Sequence, residues 1–310
     1  MRTLRLVILG SLTVGLTPAA ALAGFSQIVV FGDSTIDTGN VFAASGSPAA
    51  PYFNGRYSNG PVWVEVLAGR LGLAAPAPSL AGGSNHAWGG AQTGTGTSTM
   101  GTPNLGTQVA GFLASQSLTA TQLVVINAGG NDFLLGGETN PLVPVGNIAN
   151  AITALAASGG RSFLVSNLPQ LGRIPATAGL PLAQRDALDT LSLTFNNLLA
   201  GRVAQLKVSL GVDVALLDFE GLIQSVRANP ATFGFTNTTN SALANGVVSG
   251  QGYLWWDTVH VTAAGHQIIG NQAYTLVPEP SSWALLATAG VILPLATLWG
   301  SRSRSIRSAA

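Results

Sequence analysis

Four short runs along the chain are dominated by apolar side chains: residues 27–31, 122–126, 162–165 and 212–217, each rich in Val, Ile, Leu or Phe and mostly bounded by Gly, Asn or Asp. Near-continuous apolar runs of this length suit β-strands covered on both faces. Between them, apolar positions recur at helical spacing over residues 61–71, 105–115, 145–157 and 181–210. In the last of these, Leu188, Leu191, Phe195, Leu198 and Val203 are three to five positions apart, and Gly211 supplies a stop. Pro61 suits a first helical turn. Strands alternating with helices predict an α/β fold, a parallel sheet flanked by helices. The stretch 24–276 has the length of a single such domain.

The two ends of the chain follow different patterns. Arg2 and Arg5 precede an uncharged apolar stretch over 6–16, and a small-residue run closes with Ala21 and Ala23. That order predicts a signal peptide over 1–23, cut by signal peptidase after Ala23, and therefore an exported body. Toward the other end, no charge occurs in the 22 residues between Glu279 and Arg302. A stretch of that length can cross a bilayer, with Trp283 and Trp299 at the interfaces and Arg302, Arg304 and Arg307 kept cytoplasmic. The PEP triplet at 278–280, the hydrophobic segment and the terminal arginines together resemble the PEP-CTERM sorting signal of exopolysaccharide-producing Gram-negative bacteria. The resemblance implies processing of 277–310 by an exosortase. Hydropathy alone leaves open a permanent membrane anchor through the C-terminal helix.

Composition removes whole classes. Hydrophobic residues make up 47% of the chain and charged ones 8%, which excludes a disordered chain and a basic nucleic-acid binder. The five terminal arginines carry the formal +1, leaving a body with eight basic and eleven acidic side chains. The absence of Cys rules out a disulfide, a thiolate nucleophile and a cysteine-ligated zinc or iron–sulfur site. The Gly/Thr/Ser-rich stretch 89–107 lacks the G-x-x-x-x-G-K-[ST] pattern and any basic residue, so it reads as a flexible surface loop rather than a phosphate cradle. No metal and no organic cofactor are expected.

The residues suited to chemistry are a serine, a histidine and donors for a developing oxyanion. FGDS at 31–34 ends the first strand and puts Ser34 at the carboxyl edge of the sheet, where open α/β folds bind ligands. An alcohol needs a base to take its proton, most often a histidine. In DTVH at 257–260, Asp257 stands three positions before His260 and can fix the ring's tautomer while the other ring nitrogen faces the serine. GGND at 129–132 follows the second strand, so Asn131 can reach the edge that carries Ser34, and NHAWGGA at 85–91 offers glycine N–H donors. His266 falls on the final helical pattern and reads as a packing or partly exposed histidine. His86 sits in a loop before Gly89, with its relation to the pocket open.

The order of FGDSTIDTGN at 31–40, NHAWGGA at 85–91, GGND at 129–132 and DTVH at 257–260 resembles the SGNH or GDSL hydrolases, in the branch shared by bacterial lipase-like enzymes and plant GDSL esterases. PYFNGRYSNGP at 51–61 also fits that branch. The resemblance implies a single SGNH-hydrolase-like domain of flavodoxin-like three-layer build, a catalytic set of Ser34, Asp257 and His260, and an oxyanion hole from Ser34, Gly90 and Asn131. Gly89 is the alternative donor if the glycine block slips by one. Cysteines common in relatives around Thr238–Ser241 are missing here, so a looser loop is expected there. The implied activity is esterase or lipase hydrolysis of carboxylic acyl esters. A polysaccharide O-deacetylase and a non-catalytic surface or matrix binding protein are the alternatives. The partners implied are a small-molecule, lipid or acylated-carbohydrate ester, the two processing enzymes and the membrane, with no nucleic acid.

Overall fold

The computed structural model describes residues 24–277; the leader expected at 1–23 and the tail beyond residue 277 lie outside the described residues. Strands β1 (Gln27–Gly32), β2 (Gln122–Asn127), β3 (Ser162–Ser166) and β4 (Asp213–Leu217) lie side by side in that order, all parallel. Alternate side chains leave a strand on opposite faces, and here both faces are dry, which is why the sequence runs are apolar almost without a break. Ile28, Val30, Leu123, Val125 and Leu164 enter one core, closed by helices α2 (Trp63–Arg70), α7 (Phe219–Ala228) and α8 (Ala263–Leu276). Val29, Phe31, Val124, Ile126, Phe163 and Val165 enter the other, closed by α3 (Leu105–Leu113), α5 (Leu142–Ala157) and α6 (Leu182–Leu210). Two short helices, α1 (Asn40–Ser45) and α4 (Gly130–Leu134), follow β1 and β2.

Residues 84–88, read from sequence as loop, run parallel to the outer edge of β1. The Val30 N–H donates to Ser84 O at 2.9 Å, His86 N–H to Val30 O at 2.7 Å and Trp88 N–H to Gly32 O at 3.0 Å. Counting this segment, the spatial order of the sheet is second, first, third, fourth, fifth. The chain steps to one side of β1 and then crosses to the other, so the carboxyl ends of β1 and β2 flank the point where its path reverses. That crevice is where sheets of this order bind ligands.

Other expectations need correction. Helix α5 begins at Leu142, three residues earlier than expected, because Pro144 falls in the first turn, where a missing N–H costs nothing. Helix α2 begins at Trp63, with Pro61 ahead of the cap and the Glu65 side chain accepting the Val62 N–H at 2.9 Å. The stretch 89–107 is tied down: the Thr93 hydroxyl donates to Asp132 at 2.6 Å, and Gln92 N–H donates to Asn104 Oδ1 at 2.9 Å. The region expected to be loose carries β5 (Asn237–Ser241), paired with β6 (Tyr253–Trp255), and Trp255 Nε1–H donates to Thr238 O at 2.9 Å. Among the described residues no helix is long and apolar enough to cross a membrane.

Candidate active site

Strand β1 ends at Gly32, whose φ of +148° and closeness to β2 exclude any side chain; a Cβ there would stand 2.0 Å from Asn127 O. The chain then turns sharply. Buried Asp33 accepts the Thr35 N–H at 3.0 Å, the Thr35 hydroxyl at 2.7 Å and an Asn127 amide hydrogen at 3.3 Å. This holds the turn that presents Ser34 at the crevice. Burial raises the Asp33 pKa, against the pull of those hydrogen bonds.

Ser34 Oγ lies 2.7 Å from His260 Nε2, and His260 Nδ1 lies 2.7 Å from Asp257 Oδ2. The turn 257–260 sets this up locally, because Asp257 Oδ1 accepts the N–H groups of Val259 at 2.8 Å and His260 at 2.7 Å. One carboxylate thus shapes its own turn with one oxygen and faces the imidazole with the other. Burial opposes the Asp257 charge, but the His260 ring beside it and these hydrogen bonds prevail and lower its pKa to about 2. Asp257 is therefore ionised at neutral pH, and with Nδ1 donating to it, Nε2 is left as an acceptor toward the serine hydroxyl.

The two glycines of the second block differ in what their N–H groups do. Gly89 N–H donates to Asp37 Oδ2 at 3.0 Å, whereas among the described residues neither Gly90 N–H nor Ser34 N–H has a hydrogen-bond partner. Gly90 also needs to be glycine, since φ is +77° and a Cβ would meet Met100 Sδ at 2.7 Å. Asn131 Nδ2 donates one hydrogen to Ala91 O at 2.9 Å, which orients the amide and leaves its second hydrogen free. Ser34, Gly90, Asn131 and His260 share the wall of a cavity of about 500 Å³ with Met100, Phe133, Leu135, Leu180 and Leu188.

Sequence reading missed the side chains that lock the blocks together. Asp37 accepts the N–H groups of Gly39 and Asn40, both at 2.7 Å, besides that of Gly89. Asn40 Nδ2 donates to Asn85 O at 2.8 Å and Ala87 O at 2.9 Å, and Asn85 Nδ2 donates to Ile36 O at 2.7 Å. The signal was present, as polar residues at fixed places within the blocks, but their partners lie about 50 positions away. Burial pushes the Asp132 pKa up to about 6, against the hydrogen bonds from Thr93. His86 packs between Phe31 and Phe112, with ring centroids 5.2 Å from each, and burial lowers its pKa. It is absent from the cavity wall. His266 is buried rather than partly exposed; its Nδ1 accepts the Trp63 N–H at 3.2 Å, and burial, then the charge of His260, lowers its pKa to about 3. Among the described residues no cluster of three His, Asp or Glu could hold a metal ion.

Residues 28–273 match the family described as GDSL-like Lipase/Acylhydrolase. The chain belongs to that family. Membership makes it a hydrolase acting on ester bonds. The phosphatidylcholine-sterol acyltransferase of Aeromonas hydrophila is 29% identical over 260 residues, covering 80% of this chain and 72% of the relative. Esterase EstA of Pseudomonas aeruginosa is 31% identical over 338 residues, covering 87% of this chain. The chain spans about half of that relative, 49% of its length. Among solved structures, a member of the lipolytic protein G-D-S-L family from Veillonella parvula is similar with a TM-score of 0.49 and 15% identity, over 81% of this chain and 97% of that one.

Proposed function

We propose that this chain is a serine esterase or lipase that hydrolyses carboxylic acyl esters with an apolar acyl group. The observation that carries the proposal is the continuous hydrogen-bond chain Ser34–His260–Asp257 opening on a cavity with apolar walls. His260 Nε2 takes the Ser34 proton as Oγ attacks the ester carbonyl, and Asp257 stabilises the resulting imidazolium. The N–H groups of Ser34 and Gly90 and the free Asn131 amide hydrogen receive the oxyanion of the tetrahedral intermediate. Collapse expels the alcohol, which takes the proton from His260, and leaves an acyl-Ser34 ester. Water, deprotonated by His260, repeats the sequence and releases the acid.

Met100, Leu135, Leu180 and Leu188 supply a wall suited to an acyl chain rather than to a sugar, and this favours an acyl esterase over a polysaccharide O-deacetylase. Two of the relatives support the same substrate chemistry by their names, an esterase and an acyltransferase of phosphatidylcholine. The test is labelling of the purified body with an organophosphonate, followed by peptide mapping and assays against esters of increasing acyl length and acetylated polysaccharide. The adduct is expected on Ser34 alone, with turnover lost in Ser34→Ala. Label elsewhere, or undiminished hydrolysis by that variant, would refute the assignment.

The chain is proposed to act outside the cytoplasmic membrane, on the strength of the leader pattern at 1–23. The PEP triplet and the uncharged stretch after it support a tail removed by a sorting enzyme. Intact mass of the protein recovered from its host tests both: the expected species begins at Gly24 and ends near Pro280. A species in washed membranes retaining Trp283 to Ala310 would overturn removal of the tail.

A further inference from the structure

The segment PYFNGRYSNGP at 51–61 stands out in the sequence, yet the hydrolytic chemistry described above does not use it. In the structure it is stitched to the catalytic turn from one end to the other. Tyr52 OH donates to Asp257 Oδ2 at 3.0 Å across 205 residues of sequence. Ser58 Oγ donates to Val261 O at 3.3 Å, and Asn59 Oδ1 accepts the Ala263 N–H at 2.7 Å. Asn59 Nδ2 donates in turn to Ser249 O at 2.8 Å. The strap itself is pinned to α2 by the Arg56–Glu65 ion pair, with a closest approach of 2.8 Å.

We propose that Tyr52 is a positioning residue for the hydrolytic reaction, the fourth member of a Ser34–His260–Asp257–Tyr52 chain, acting through Asp257 to set the orientation and basicity of His260. The proposal rests on the catalytic reading of Ser34, His260 and Asp257 given above. The Tyr52 hydroxyl meets the same oxygen that faces the imidazole, not the one that shapes the turn. The carboxylate therefore has four donors: the Val259 and His260 N–H groups on Oδ1, and the His260 ring and Tyr52 on Oδ2. A half-buried carboxylate with all four acceptor positions filled cannot swing away from the ring without stranding those donors. The Tyr52 ring is held edge-on by Trp256, with centroids 6.0 Å apart, and by Tyr57, at 6.3 Å. Tyr57 lies against His260 with ring centroids 5.0 Å apart and forms part of the cavity wall. The groups facing Asp257 are thus His260, Tyr52 and, through the same aromatic cluster, Tyr57.

A hydrogen bond from Tyr52 spreads the Asp257 charge and weakens the carboxylate's hold on the imidazolium. Its removal leaves a more concentrated negative charge beside the ring, which holds the imidazolium more strongly. The sign is opposite to that expected from deleting Asp257 itself.

The test is Tyr52→Phe in the full chain, which keeps the ring packing and removes only the hydroxyl. The acidic limb of the kcat/KM profile should move up, and kcat at its plateau should fall on the order of tenfold, because the carboxylate released on one side no longer keeps the imidazole in line with Ser34 and this outweighs the stronger charge, with KM little changed. In an Asp257→Asn background the same substitution should cost nothing further, because the group through which Tyr52 acts is gone. An unmoved acidic limb with wild-type kcat would overturn the proposal. So would a lower melting temperature accompanied by an unchanged pH profile, since that marks packing alone. Ser34→Ala run alongside separates the two levels: hydrolysis surviving in that variant defeats the underlying catalytic reading. An inactive Ser34→Ala with a Tyr52→Phe profile superimposable on wild type defeats only the role of Tyr52.

Discussion

Asn131→Ala sets two magnitudes against each other at one side chain. In the resting enzyme the amide makes one hydrogen bond, from Nδ2 to Ala91 O at 2.9 Å. Removing it costs about 1 kcal/mol of stability, a fall in melting temperature of roughly 2–4 °C for a body of this size. On the proposed mechanism the second amide hydrogen faces the oxyanion in the transition state, and loss of one such donor costs about 2.7–4 kcal/mol, or 10²–10³ in kcat. The catalytic effect therefore exceeds the structural one about threefold, and the two are read by different instruments. Steady-state kinetics on a soluble ester should show kcat falling by that factor with KM nearly unchanged, because the ground-state carbonyl engages the donor weakly. Differential scanning calorimetry should show the small shift only. Asn131→Asp, which removes both donor hydrogens and adds a charge where negative charge develops, should be worse than Ala. Wild-type kcat in the Ala variant, or loss that tracks melting temperature and disappears per folded molecule, would refute the oxyanion role.

Two further outcomes follow from side chains around the cavity. Asp132, buried with its pKa raised to about 6, binds a proton more tightly in the folded chain than in the unfolded one. Its cost to stability is therefore full above pH 6 and is relieved as pH falls from 6 toward 3.8, by on the order of 2–3 kcal/mol. Urea unfolding at stepped pH should show this gain, and Asp132→Asn should flatten it; equal slopes in both proteins would refute the assignment to Asp132. Asp257, with its pKa lowered to about 2, acts in the opposite sense and only below that window, its stabilisation being lost as pH falls from 3.8 toward 2. Met100 is the one sulfur-bearing residue of the body, 63% exposed, and its Sδ stands close over Gly90. Hydrogen peroxide should convert it to the sulfoxide and reduce turnover several-fold, while Met100→Leu should keep its activity under the same treatment. Full activity in protein whose peptide map shows Met100 converted to the sulfoxide would refute this.

The central sheet was legible because both of its faces are buried, so β1 to β4 appear as apolar runs that need no knowledge of their neighbours. Residues 84–88 gave no such signal. They pair with β1 through the backbone alone, and Asn85 is spent on holding Ile36 and Ala87. Helix α7 was passed over although its marks are present: Asp218 caps it by accepting the Gly221 N–H at 2.9 Å, and Phe219, Ile223 and Val226 follow at helical spacing. At the site, Ser34, Asp257 and His260 were picked out by the order of the family blocks, since G-D-S and D-x-x-H taken singly read equally well as turns, and the structure brings the three together. The resemblance named Gly90 with Gly89 as the alternative, and what separates them, the Asp37 carboxylate that takes the Gly89 N–H, is visible only in the structure. The contact of Tyr52 with Asp257 was equally hidden, since nothing local in either segment announces a partner 205 residues away.

That separation has a bearing on when the enzyme can begin to work. Ser34 leaves the ribosome early, whereas His260 arrives among the last residues of the body and is held by a turn that also needs the strap at 51–61. With no cysteine to clip the ends together, only a complete fold brings the two within 2.7 Å. On the proposed triad, a chain halted anywhere before residue 260 carries Ser34 without its base, and a break between the two segments that lets them drift apart returns it to that state. On that reading the order of synthesis acts as a built-in delay, keeping ester cleavage silent until the last segment of the body has packed against the first.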